Sequence, residues 1–245
     1  MTWGPKRTKM IAAARKTMFF CCSLAFFLPL TASAHQPRIV SGRGPVVVAE
    51  PEVSRVYYGK LNGAEQWFRI SSSRTFELYL GILSPKVAGA VTDTRVLLFK
   101  DTVRNGEDKV TPAGLIKELN WPYTEWHDYY ENFGGDWYLR GPEFRKILPA
   151  GDYAAVVTRK GEPGEGRYAL AIGGQEKFPP PEIIKALILL PKLKASFFDK
   201  SPWTAYFNLA GLYLAALILI LAGSGYLVSY IINKIRNRAE PESMK

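Results

Sequence analysis

Apolar and polar residues alternate in short stretches along the first two thirds of the chain, then give way to one unbroken apolar block near its end. Residues 45–48, 54–59, 66–70, 76–83, 95–99, 153–157 and 168–172 are short, rich in β-branched and aromatic side chains, and several alternate. That pattern predicts strands. Asn62-Gly63 predicts a tight turn between the second and third, and the Gly- and Pro-containing stretch 161–166 a looser hairpin between the last two. Many short strands punctuated by Gly and Pro predict a mainly β protein, an antiparallel sandwich.

The block at 207–232 holds no charged residue and is closed by Asn233-Lys234-Ile235-Arg236-Asn237-Arg238. Its length at about 1.5 Å per residue is roughly 39 Å, more than the roughly 30 Å of a bilayer's hydrocarbon core, so it predicts a transmembrane helix. Tyr206, Tyr213, Tyr226 and Tyr230 lie towards its ends, where interfacial anchoring places them. At the other end of the chain, Lys6, Arg7, Lys9, Arg15 and Lys16 precede an apolar stretch over 17–30 and then Thr31-Ala32-Ser33-Ala34. This is the order of a cleavable export signal, with the cut expected between Ala34 and His35. The domain plan is thus a signal over 1–34, a sandwich over 35–178, a juxtamembrane segment over 179–206, a span over 207–232 and a basic cytoplasmic tail over 233–245. It places a single-pass protein in the cytoplasmic membrane, with a periplasmic or extracellular ectodomain.

Composition changes this picture in two ways. The net charge of +10 hints at nucleic acid until it is divided by region. The five basic residues of the signal and the basic tail account for most of it, leaving roughly +3 over 35–206, as topology signals would. No nucleic-acid partner is expected. Both cysteines, Cys21 and Cys22, fall inside the predicted signal, so the mature chain has no thiol for a disulfide, a nucleophile or a metal.

Two segments carry a resemblance. Residues 55–70, with Gly59-x-Leu61 and Trp67-Phe68, are followed later by Leu148-Pro149-Ala150-Gly151-Asp152-Tyr153 and by Gly166-Arg167-Tyr168-Ala169-Leu170-Ala171-Ile172. This resembles the bacterial pre-peptidase C-terminal domain family. The resemblance implies a small jelly-roll-like β-sandwich attached to secreted or surface proteins, and it says nothing of an activity. The chain departs from the family pattern by an insertion over about 102–142.

That insertion holds the candidate binding residues Trp121, Tyr123, Trp126, Tyr129, Tyr130, Trp137 and Tyr138, interleaved with Glu125, Asp128, Glu131, Asp136 and Glu143. Trp126, Tyr129, Tyr130 and Phe133 have i, i+3, i+4, i+7 spacing, which predicts a short helix over 122–133 ended by Gly134-Gly135. Such rings either plug the end of the sandwich or meet a protein partner or envelope glycan. The runner-up class is enzymatic. Glu125, Glu131, Asp136 and Glu143 supply the carboxyl pairs of a glycosidase-like hydrolase, with Arg140 and Arg145 as the neighbours that would instead neutralise them. His35, as a new N-terminus, offers an amine and an imidazole that with His127 make three nitrogens suited to copper, similar to histidine-brace sites. No other cofactor is expected, and Gly-x-Ser-x-Gly, phosphate-loop and His-Glu-x-x-His motifs are absent.

Phe178-Pro179-Pro180-Pro181 predicts a stiff extended spacer before an amphipathic helix bent at Pro191. Ile183, Ile184, Leu187, Ile188, Leu190, Leu193 and Phe197 form its apolar side, among Lys185, Lys192, Lys194 and Lys200. The expected occupant of that side is the outer leaflet or a membrane-protein partner. The chain reads as a non-enzymatic accessory subunit or glycan-binding protein.

Overall fold

The structure is a computed structural model describing residues 35–42, 44–100, 103–105, 109–111, 114–160 and 165–239. The predicted signal and the last six residues lie outside the described residues. The chain divides into two units at Ala205/Tyr206.

The first unit is a β-sandwich. One sheet has six strands in the order β1 (Gln36–Ile39), β3 (Arg55–Asn62), β13 (Glu165–Ile172), β5 (Phe76–Pro85), β11 (Asp136–Leu148) and β10 (His127–Glu131). The other has five, in the order β2 (Val46–Val48), β4 (Gln66–Ser72), β12 (Gly151–Arg159), β6 (Thr94–Lys100) and β9 (Gly114–Leu119). A small hairpin of β7 (Val103–Asn105) and β8 (Lys109–Thr111) interrupts the connection from β6 to β9.

Without β1, β2, β10 and the small hairpin, eight strands remain. In chain order one sheet then runs first, eighth, third, sixth and the other second, seventh, fourth, fifth, which is the nested pairing of a jelly roll. The sequence motifs implied that architecture. Pairing is antiparallel throughout the eight, whereas the flanking strands β1 and β2 join β3 and β4 in parallel, so both sheets are mixed.

Two turns do something other than expected. Gly63 has φ 76°, as the Asn62-Gly63 turn requires, but it links β3 to β4, which lie in different sheets. The connection from β12 to β13 likewise changes sheet. Both connections cross from one sheet to the other, so neither turn closes a hydrogen-bonded hairpin.

The 102–142 stretch is part of the sheets. It supplies β9, β10 and the first half of β11, whose long pairing with β5 slips once between Arg140 and Glu143. Gly141 sits in that irregularity, where an added Cβ would lie 2.6 Å from the Trp126 indole. Gly59 plays the same part for Tyr168, with 2.4 Å between a Cβ there and its ring.

The core between the sheets follows the strand period. Tyr57 and Leu61, Phe68 and Ile70, Leu78, Leu80 and Ile82, and Tyr168, Leu170 and Ile172 point inward and are buried. The six-stranded sheet also buries its outer face. Val56, Ala169 and Ala171 lie there beneath helix α1 (Pro180–Phe197), whose Leu193 and Phe197, with Phe198 just beyond, pack on them together with Tyr138. The small side chains of Ala169 and Ala171 let the helix approach closely.

This departs from expectation. Pro180 and Pro181 occupy the first helical positions instead of an extended spacer, since proline's fixed φ suits a helix start. Pro191 is carried inside the helix. Leu187, Leu190, Leu193 and Phe197 face the sandwich, not a leaflet or a second protein, while Ile184 and Ile188 stay exposed.

Two buried or half-buried contacts hold α1 in place. Lys194 Nζ donates to Asp136 Oδ2 at 2.6 Å and to the Gly134 carbonyl at 2.6 Å, with both side chains almost fully buried. Lys200 takes the other carboxylate oxygen at 2.9 Å. Farther along, Arg167 donates to the Phe197 carbonyl and pairs with Asp199.

The second unit contains α2 (Leu209–Ala239). Its part Leu209–Tyr230 is the one helix among the described residues long and apolar enough to cross a membrane, and 6% of its apolar window is buried.

Candidate functional site

The aromatic segment is a β-hairpin, not a helix. A short 3-10 turn (Tyr123–Glu125) leads into β10, which pairs with β11 in the register Tyr129–Tyr138 and Tyr130–Trp137. Helical spacing of the rings is real, but β11 is there to pair with over five residues, and aromatic side chains fit a pleated surface. The loop closes on itself: Gly135 N donates to the Glu131 carbonyl, while the Glu131 carboxylate accepts from Phe133 N at 2.8 Å and Gly134 N at 2.7 Å. Gly135 has φ 70°, which only glycine adopts without strain.

A strand's period of two then sorts the candidate rings. Trp126 is buried and Trp121 half-buried against the core between the sheets. Tyr129 and Tyr138 face outward under α1, with Tyr138 buried and the ring centroids 6.4 Å apart. Tyr130 and Trp137, on the opposite side of the hairpin, are 42% and 47% exposed, with ring centroids 5.1 Å apart. Tyr123 is 72% exposed. Lys86, unremarked in the sequence, completes the exposed cluster: its Nζ lies 5.6 Å over the Trp137 ring and pairs with Asp128 at 2.5 Å. Two rings in tilted contact, a cation and a carboxylate on one open surface form a patch of the kind that contacts proteins and sugars.

The outward side of the hairpin borders a cavity of about 60 Å³ between the sheet and α1. Tyr58, Tyr79, Tyr129, Tyr138, Phe133 and Leu190 wall it, with His35, Glu131, Arg140 and Glu143 as its ionisable groups. The hydroxyls of Tyr58 and Tyr138 share a hydrogen bond of 3.0 Å, and burial raises both phenols well above their ordinary range. Tyr79 donates to Glu143 at 2.9 Å; burial, then the neighbouring carboxylate, pushes it up to about 12. Desolvation also raises Glu131, despite the backbone N–H groups that favour its charge. The sequence alone did not point to Tyr58 or Tyr79. Their signal is an aromatic residue at the outward position of a central strand, which needs a cover.

The carboxylates proposed for hydrolysis have other partners. Glu131 holds its turn, Asp136 holds two lysines, and Glu143 takes Arg140 Nε at 2.5 Å as well as Tyr79. Arg145, expected among them, pairs instead with Glu77. Glu125 sits in the 3-10 turn.

His35 and His127 are at the two ends of the six-stranded sheet's strand order. His35 precedes β1, and its Nδ1 meets Ser54 Oγ. Burial lowers its proton affinity. His127 is exposed on β10, opposite Arg140 in register. Among the described residues no group of three or more His, Cys, Asp or Glu is placed to hold a metal ion.

No family model matches the sequence, and no curated protein matches it. Solved structures are similar to it, among them the following three. A periplasmic inhibitor of g-type lysozyme, PliG of Aeromonas hydrophila, aligns over 57% of this chain and 99% of its own at 17% identity and a TM-score of 0.34. The mitogen of Yersinia pseudotuberculosis aligns over 53% and 92% at 14% identity and a TM-score of 0.30. The pre-peptidase C-terminal domain of Bacillus anthracis collagenase, from the family that the sequence motifs resemble, aligns over 57% and 96% at 11% identity and a TM-score of 0.30.

Proposed function

We propose that this chain is a non-enzymatic, single-pass membrane protein whose β-sandwich binds a protein partner or an envelope glycan at the outer face of the cytoplasmic membrane. The observation that carries this reading is the exposed Tyr130–Trp137 pair beside Lys86. Large rings left in solvent on a rigid hairpin lose little side-chain entropy on contact and bury much area. The export signal and the charge-free span support the address, and Lys234, Arg236 and Arg238 support a cytoplasmic C-terminus.

The test is a photo-crosslinker placed at Trp137 and, as control, at the exposed Ile147, in full-length protein at native expression. The expected result is one discrete adduct, or retention on isolated envelope glycan, from the 137 position only, and its loss in Tyr130→Ala. Equal labelling from both positions, or a lone monomer with no glycan retention, refutes the reading.

A further inference from the structure

We propose that Trp203 is a lipid-interface anchor: its indole sits among the headgroups of the outer leaflet and holds the Asp136–Trp137 end of the sandwich at the bilayer surface. The inference rests on the reading of Leu209–Tyr230 as a membrane span and does not depend on what the Tyr130–Trp137 patch binds.

Trp203 belongs to a 3-10 turn (Pro202–Tyr206) that follows α1, and it is 75% exposed. The path that carries it is fixed by hydrogen bonds. Beyond α1, Lys200 N donates to the Lys194 carbonyl at 2.8 Å, around Asp199, whose φ of 54° is a left-handed conformation that aspartate tolerates better than most residues. Arg167 takes both carboxylate oxygens of Asp199, at 2.7 and 2.9 Å, a bidentate pairing that sets direction as well as distance. Lys200 Nζ then reaches Asp136 at 2.9 Å. Thr204 closes the next turn by donating to the Ser201 carbonyl from its N at 3.0 Å and its Oγ1 at 2.7 Å. Residues 199–204 therefore form a bracket, fastened to β13 through Arg167 and to β11 through Asp136. A loose tether would let an exposed ring sample all directions, whereas a bracket presents it in one.

Distance selects the occupant. Trp203 stands six residues before Leu209, where α2 begins. Three of those steps run in the 3-10 turn at about 2.0 Å each and three span at most about 3.6 Å each, so its Cα is within roughly 17 Å of the first residue of the span. The polar zone of a bilayer adds roughly 5–8 Å per leaflet to the hydrocarbon core. An indole, apolar over its ring and polar at one N–H, is best accommodated in that zone. A protein partner would have to enter between sandwich and bilayer to cover it, and lipid is already there.

The bracket also decides which end of the sandwich is near the lipid. Asp136 opens β11, and Lys86 N donates to the Trp137 carbonyl at 3.0 Å, so Asp136, Trp137 and Lys86 share the end from which the chain departs. Ile147, towards the other end of β11, is roughly 36 Å along the strand from Asp136.

The experiment uses the full chain carrying Cys21→Ser and Cys22→Ser, purified and reconstituted in phosphatidylcholine vesicles. A fluorophore is attached at Ser201→Cys, at Ile147→Cys or, within the span, at Leu217→Cys, and quenching by nitroxide lipid is measured. The expected result is quenching at 201 by a headgroup nitroxide, none at 147, and quenching at 217 by a nitroxide in the acyl chain. Trp203→Ala is expected to reduce quenching at 201 by about twofold or more, and Trp203→Tyr to keep most of it. Undiminished quenching at 201 in Trp203→Ala, or equal quenching at 201 and 147, overturns the anchor while the span stands. Absence of quenching at 217 overturns the span, and the anchor with it.

Discussion

Asp136 is the residue on which the outer layer depends most. Its carboxylate is 3% exposed and answers two lysines, one of them also buried. Removing Asp136 leaves the buried Lys194 ammonium with backbone carbonyls alone and no counter-charge, at a cost of about 3–5 kcal/mol. Asp136→Ala is therefore expected to lower the urea midpoint sharply, while Lys194→Met costs less, because Lys200 still compensates Asp136 and the methionine fills the space. His35 acts through pH. Its native proton affinity lies below the unfolded value of 6.5, so as pH falls through about 6.5 the unfolded chain binds a proton that the native state refuses, and stability drops. His35→Gln is expected to remove that loss, read as the difference between the two proteins' urea stabilities at pH 5.5 and 7.5.

Among the elements, α1 and the β10–β11 hairpin stabilise each other. Phe197 meets Tyr58 edge-on at 5.1 Å and Phe198 meets Tyr138 at 5.2 Å, while Lys194 reaches the hairpin loop. Phe197→Ala is expected to cost about 3–5 kcal/mol. Amide exchange in α1 should accelerate with it, and that in β12 much less, since β12 lies in the other sheet. Sequence patterning located seven strands, because each had a β-branched or aromatic run of its own. It missed β9 to β11 for a physical reason. Trp126, Tyr129, Tyr130 and Phe133 satisfy a helical stripe as well as a strand, and only the availability of β5 as a partner for β11 decides between them.

For the whole molecule, the expectation is an N-terminus at His35 in the processed protein, checked by mass spectrometry of the intact chain. Ser243→Cys should react with a membrane-impermeant maleimide only after the cytoplasmic membrane is broken, whereas Val47→Cys should react in spheroplasts. Labelling of Ser243→Cys in intact spheroplasts would reverse the assigned orientation.

The sequence by itself determined the class of the protein: a β-sandwich from short alternating strands, and a helix long and apolar enough to cross a membrane from a charge-free run. Both follow from local periodicity and length, which need no knowledge of partners. Tertiary structure decided everything that depends on which face a side chain turns. It divided one aromatic cluster into core, cavity and open surface through the strand period of two. It also turned the expected membrane-facing stripe of α1 onto the sandwich, because Ala169 and Ala171 leave a shallow apolar bed that only sheet pairing brings together. Residues far apart in sequence, Asp136 and Lys194 or Tyr58 and Tyr138, acquire their chemistry from that pairing, and no spacing along the chain encodes it.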